Sequence, residues 1–234
     1  MAKLYVERLV KVLKDKNRRF RLDVPHFSLE PGDCKAILGV TGSGKTTAMD
    51  ILALASPVNR AGQFRLEADG STHDLGTGAA HADLARLRAR HFGYVFQSSP
   101  LFPFLSLKEN ILLSQQLAGR KNGKLITSLL AALDLRVDPR TKVTDLSVGQ
   151  RQRVAVARAL AHRPSFIMCD EPTASLDPAT ARRLIRLIVM LAREYRSAVL
   201  IITHNPELLE DHNFEIFRTI PNKKSNHSTL RPHN

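Results

Sequence analysis

Ala36-Ile37-Leu38-Gly39-Val40-Thr41-Gly42-Ser43-Gly44-Lys45-Thr46-Thr47 is the stretch that decides the fold. Its three opening apolar residues read as the end of a buried strand. The rest fits G-x-x-x-x-G-K-[ST], a loop whose backbone N–H groups wrap a chain of phosphates before a helix begins. Gly39, Gly42 and Gly44 let the backbone turn tightly with no Cβ between it and an anion. A helix from Lys45 to about Leu54 adds the positive end of its dipole. Lys45 is placed to reach the outer phosphates as a mobile point charge, Thr46 to ligate Mg²⁺, and Thr47 to offer a further hydroxyl.

A second stretch, Phe166-Ile167-Met168-Cys169-Asp170-Glu171, is an apolar run closing on two carboxylates. A central parallel strand has this form where its C-terminal end faces a ligand crevice. Asp170 is then positioned to hold Mg²⁺. Glu171, one residue on, points elsewhere and is suited to polarise a water that attacks the last phosphate. Adjacent acids in a solvated loop would lack the four apolar residues in front.

Leu146-Ser147-Val148-Gly149-Gln150, followed by RQRVAVARAL, supplies a third motif. With the two preceding stretches it makes the chain resemble the nucleotide-binding subunit of an ATP-binding cassette (ABC) transporter over residues 4–217. The resemblance implies an α/β phosphate-loop NTPase fold with a parallel-sheet core, an antiparallel β subdomain and an inserted helical subdomain at about 98–162. It implies ATP and Mg²⁺ as ligands and two cassettes facing head to tail. Ser147, Val148, Gly149 and Gln150 of one would close on the γ-phosphate held by Gly39, Val40, Thr41, Gly42, Ser43, Gly44, Lys45, Thr46 and Thr47 of the other. Ser147, the Gly149 backbone and a helix starting near Gln150 would form that anion site.

Further roles follow from the same resemblance, residue by residue. Gln97, after FGYVF, matches the glutamine that touches Mg²⁺ and the attacking water where a transmembrane partner presses. Metal ligands would thus be Thr46, Gln97 and Asp170. Ser175-Leu176-Asp177 matches the loop through which two cassettes sense each other. His204, directly after the β-rich run 198–203, matches the switch histidine that hydrogen-bonds the γ-phosphate; with Glu171 and Gln97 it completes the catalytic set. The implied function is an ATP-hydrolysing subunit that powers a membrane transporter. Its partners would be transmembrane permease subunits and a second cassette, identical or not, at the cytoplasmic face of the inner or plasma membrane. The motif context resembles the lipoprotein-releasing and macrolide-exporter ATPases, so mechanical work on a membrane partner, to release a lipoprotein or regulate an enzyme, is the alternative.

Two positions depart from the family pattern. Val148 stands where glycine is common, and a β-branched residue narrows the backbone options beside the phosphate. The aromatic that stacks on adenine is replaced, in the simplest alignment, by Leu13, with Phe20 the nearest ring.

Composition limits the remaining choices. A formal charge of +13 over 234 residues is compatible with nucleic acid, and a basic stretch near the start contains Lys11, Lys14, Lys16, Arg18, Arg19 and Arg21. No nucleic-acid motif accompanies it, and an anionic membrane surface would attract the same charge at about 1 kcal/mol per basic residue. Cys34 and Cys169 suggest neither a disulfide framework nor a zinc site. No run of about 18 apolar residues offers a spanning helix, and the charged start reads as no signal peptide. The interval between Lys45 and Leu146 has no sustained heptads, which sets aside coiled-coil ATPases.

Organisation along the chain agrees with one cassette. Residues 4–30 and 63–67 alternate as antiparallel strands around the turns at Gly32 and Gly70. Ser106 and Glu109 make a capping box. The loop 98–104, with Pro100, Leu101, Phe102 and Phe104, is apolar for a connector; it either folds onto its own subdomain or lines a groove for a transmembrane partner. Residues 218–234 read as a polar, basic tail without periodicity, hence disordered.

Overall fold

The computed structural model describes residues 2–15, 18–98, 100–222 and 225–233. Strands β1 (Lys3–Asp15) and β2 (Arg18–Leu29) form a long antiparallel hairpin. β1 also pairs antiparallel with β4 (Gln63–Ala68), which pairs with β5 (Ser71–Asp74). Between them, β3 (Cys34–Leu38) leads into helix α1 (Lys45–Leu52). α2 (His81–His91) delivers the chain to β6 (Phe92–Val95).

A helical stretch separates β6 from β7 (Phe166–Asp170): α3 (Leu107–Leu117), α4 (Gly123–Ala132) and α5 (Val148–Leu160). Ser106 and Glu109 close the capping box of α3 in both directions. α6 (Pro178–Tyr195) and β8 (Ala198–Ile202) follow, then β9 (Glu215–Pro221) and β10 (His227–Pro232).

The ten strands form one sheet in the order β5-β4-β1-β2-β10-β9-β3-β8-β7-β6. From β9 to β6 all pairings are parallel. β7 and β8 are buried at every position, as strands covered on both faces must be. Their alternation divides the core. Ile167, Cys169, Val199 and Ile201 pack under α3–α6, while Phe166, Met168, Leu200 and Ile202 pack with α1 and the antiparallel strands. α5 seats directly on β6 because Gly93 has no side chain; a Cβ there would meet the Ala159 carbonyl oxygen at 2.1 Å.

The expected disordered tail is a correction. β9 continues through Pro221, and β10 pairs antiparallel with β9 and parallel with β2, so the last strand joins the two halves of the sheet. Ser228 and Leu230 are its inward-facing positions, and only one of them is apolar. A strand held by backbone ladders on both sides needs little apolar patterning, which is why its sequence reads as a polar tail. Lys223, Lys224 and Asn234, part of that expected tail, lie outside the described residues, as do Lys16 of the basic stretch and Ser99 of the apolar loop.

Candidate nucleotide site

The loop between β3 and α1 has an unusual helix start. Gly44 is the N-cap in the left-handed region at φ 93°, with no side-chain cap and no acidic residue in the first turn. The first-turn N–H groups are therefore left to a ligand. Gly44 also has to be glycine because a Cβ would lie 2.8 Å from the Phe20 ring. Lys45 folds back over the loop, donating from Nζ to the carbonyls of Gly39 at 2.9 Å and Val40 at 3.1 Å. A phosphate entering the loop would offer that ammonium a charged acceptor in place of neutral carbonyls. Ser43 turns away from the ligand side, its hydroxyl 2.5 Å from that of Thr219 on β9.

A cavity of about 590 Å³ lies over this loop, lined by Thr41, Gly42, Gly44, Lys45, Thr46, Thr47, Gln97, Asp170 and Glu171, with further residues from β1, β2 and the turn before β10. Asp170, at the end of β7, is only 7% exposed. Burial raises its carboxyl above the usual range, and a hydrogen bond from Thr46 opposes that rise. A desolvated carboxylate beside a hydroxyl is a hard-oxygen pair of the type Mg²⁺ prefers, so the residues present fit that ion.

Glu171 occupies the left-handed region at φ 45°, rare for a residue with a side chain and strained by about 1–3 kcal/mol. Its N–H donates to the Ile202 carbonyl at 3.0 Å, which ties β7 to β8 at their C-terminal ends. The departure from extended backbone separates the two carboxylates: Asp170 stays against Thr46, while Glu171 meets His204. His204 Nδ1 lies 3.1 Å from Glu171 Oε2, with the imidazole largely exposed. Gln97 is exposed at the cavity wall. Behind it, the Tyr94 and Phe96 rings stack at 4.1 Å, and the Tyr94 hydroxyl donates to Asp50 of α1 at 3.0 Å.

The third motif lies elsewhere on the chain. Ser147 is the N-cap of α5, accepting from Gln150 N while Gln150 Oε1 accepts from Ser147 N. The helix thus starts at Val148, two residues before the expected Gln150. Val148 is 53% exposed, so its side chain adds no packing contact that closes the start of α5. Gly149 and Leu176 share a separate cavity of about 480 Å³ between α4, α5 and α6. None of Ser147, Val148, Gly149 or Gln150 lines the cavity over the phosphate loop. Asp177 caps α6, accepting from Thr180 N at 3.0 Å, and hydrogen bonds from the Thr180 hydroxyl and this N–H hold its carboxyl below the usual range.

Several contributors were not visible in sequence. Thr219 and Asn226 come from the strands read as tail or its edge. Asn110 of α3, fully buried, bonds both the N–H and the carbonyl of Phe102, fixing the apolar loop. That loop divides: Leu101 packs on the helical core, while Phe102 and Phe104 remain exposed, Phe104 at 76%.

Comparison with known proteins agrees with this geometry. The ABC transporter family profile matches residues 22–174. The lipoprotein-releasing system ATP-binding protein LolD of Novosphingobium aromaticivorans is 39% identical over 78% of this chain and 80% of its own length. The macrolide export ATP-binding/permease protein MacB of Syntrophobacter fumaroxidans is 35% identical over 85% of this chain, which spans 29% of that longer protein. Among solved structures, the ATP-binding cassette MJ0796, a dimer in a post-hydrolysis state with ADP and Pi, superimposes with a TM-score of 0.78 at 26% identity, covering 92% of this chain and 93% of that one. With its phosphate loop, its two carboxylates at the end of β7 and the exposed start of α5, the signature helix of the third motif, the chain belongs to the ABC transporter family, as an ATP-binding and ATP-hydrolysing subunit.

Proposed function

We propose that two cassettes close head to tail around two ATP molecules and drive a transmembrane permease. The observation that carries this reading is the separation of the two anion sites: one chain places Ser147–Gln150 outside its own phosphate cavity. Each chain then owns half of each active site, and the dimeric cassette MJ0796 supports the same assembly. Thr41, Gly42, Gly44, Lys45, Thr46 and Thr47 hold the phosphates, with Gly39, Val40 and Ser43 shaping the loop. Thr46, Asp170 and Gln97 would hold Mg²⁺, which supplies charge neutralisation at the phosphates when bound. Glu171 takes the proton of the attacking water or orients it, and His204 positions the Glu171 carboxylate through its ring nitrogen and hydrogen-bonds the terminal phosphate. Across the dimer, Ser147, Val148, Gly149 and Gln150 close the site, and Asp177 lies near the seam.

The exposed Phe102 and Phe104, beside Gln97 in sequence, support docking of a membrane subunit on this loop. No helix among the described residues is long and apolar enough to cross a membrane, so the chain would be peripheral, at the cytoplasmic face of the inner or plasma membrane. A mechanical variant, in which the cycle releases a lipoprotein rather than moving a solute, is supported by the LolD proteins of Novosphingobium aromaticivorans and Rhodospirillum rubrum among the relatives.

The test is Glu171→Gln. With MgATP it should run as a dimer by light scattering, lose turnover by roughly 10²–10⁴-fold, and bring a polytopic subunit out of detergent-solubilised membranes. A monomer under saturating MgATP would sink the two-copy cycle.

A further inference from the structure

The cavity over the phosphate loop has two sides, and the sheet order tells them apart. β3 delivers the loop. On one side β8, β7 and β6 follow, bringing Asp170, Glu171 and Gln97; on the other side lie β9, β10, β2 and β1. Leu13, Arg19, Phe20 and Asn226 line the cavity from that second side. With the terminal phosphate drawn toward Asp170 and Glu171, the nucleoside falls among these four residues.

Two of them offer only apolar surface. Leu13, paired with Phe20 across the hairpin, is 41% exposed, and the Phe20 ring is wedged against Gly44. Of the polar pair, Arg19 carries donors and no acceptor, so it cannot receive a hydrogen bond from an amino group on a base. Asn226 carries both on one planar amide, the combination that matches the N6 amino donor and N7 acceptor of adenine, where guanine presents two acceptors.

Asn226 is also held in place by its backbone. Its carbonyl accepts from Arg21 N at 2.9 Å, tying the turn to β2. On either side, Asn222 N donates to the His227 carbonyl at 2.8 Å and His227 N to that of Ser225 at 2.7 Å. His227 Nε2 lies 2.9 Å from Asp23 Oδ2, a second clamp onto the same strand. The side chain of Asn226 remains exposed at the wall shared by the phosphate cavity and a neighbouring one lined by Phe20, Gly42 and Asn222.

We propose that the Asn226 side chain reads the N6–N7 edge of the adenine of bound ATP and thereby selects adenine over guanine. The proposal rests on the cassette reading. It assigns to the C-terminal hairpin the recognition that the missing aromatic at Leu13 does not provide.

The experiment is calorimetric titration of the full chain and of Asn226→Ala with ATP, GTP and inorganic tripolyphosphate, each with Mg²⁺. The parent should prefer ATP to GTP. Asn226→Ala should weaken ATP by about three- to ten-fold, the worth of one or two hydrogen bonds, narrow the preference over GTP, and leave tripolyphosphate unchanged. Unaltered ATP affinity in the variant overturns the proposal, as does an equal loss on tripolyphosphate, which would place the effect at the phosphate end. A parent that binds tripolyphosphate yet treats ATP and GTP alike overturns the proposal alone. A parent that binds none of the three sinks the cassette reading together with it.

Discussion

Two helices of this protein carry a glycine at or beside their first residue, and they begin in opposite ways. α1 starts from Gly44 in a left-handed conformation with no side-chain cap, and Lys45 follows at once. α5 starts from Ser147 in a complete capping box with Gln150. A helix leaves four N–H groups without intrahelical partners at its start, and these must be met by side chains, water or a ligand. α1 leaves them to a ligand that the same chain encloses. α5 meets part of the need from within, so it is stable with its end exposed. The Ser147 hydroxyl, while accepting from Gln150 N, still has its O–H to donate to a phosphate presented by another chain. In the head-to-tail arrangement proposed above, the open start of α1 serves a resident ligand and the capped start of α5 one that arrives with a partner.

Lys45→Ala tests the first helix and should have the largest effect. Losing the ammonium that lies over the loop should lower kcat/KM for ATP on the order of 100-fold, with weaker binding of both ATP and tripolyphosphate. The weaker binding should appear equally in dilute protein, where no dimer forms, because this site belongs to one chain. An ATP affinity that survives Lys45→Ala would break the contrast by showing that the loop N–H groups suffice.

Ser147→Ala tests the second helix and should separate binding from turnover. Removing the N-cap costs about 1 kcal/mol of stability, read as a small fall in Tm. ATP binding to the isolated chain should be unchanged, whereas turnover at concentrations that support dimers should fall about ten-fold. A tenfold loss of monomer binding instead would mean that α5 contributes within its own chain, contrary to the two separate cavities.

The same contrast explains how much was legible from sequence. The phosphate loop, the β7 carboxylates and the Ser106–Glu109 capping box are contiguous, and their chemistry is encoded by residue type and spacing over a few positions. What was not legible depends on long-range pairing. Thr219 meets Ser43 across 176 residues, and Asn226 reaches the cavity because β10 lies beside β2. No local pattern marks either one. The supposed tail is held by backbone ladders that are indifferent to side chain, so its few apolar residues hid a strand joining two halves of a sheet. The start of α5 shifted from Gln150 to Val148 for a local reason: the Ser147–Gln150 box places the cap at the serine.

The far end of α5 supplies the smallest expected effect on turnover. Just past its last residue, His162 is 4% exposed, and its Nε2 lies 3.2 Å from the Phe92 carbonyl of β6, so the neutral ring donates there. Its Nδ1 is buried without a hydrogen-bond partner, and a proton placed on it would be an orphan donor. Burial, aided by the nearby charges of Arg120 and His91, pushes its pKa down from 6.5 to about 4 despite the bond to Phe92. The unfolded chain therefore binds the proton more readily than the folded one between those two values. Stability from this group is fully present above pH 6.5 and is lost as pH falls toward 4, amounting to about 2 kcal/mol by pH 5. His162→Gln, which keeps a donor for Phe92, should lose less Tm than the parent between pH 7.5 and 5, by roughly 4–8 °C, with ATPase at pH 7.5 nearly unchanged. Parallel Tm profiles would show that α5 is fastened to β6 by packing at Gly93 alone, and the signature helix would then owe its rigidity to shape rather than to a neutral histidine.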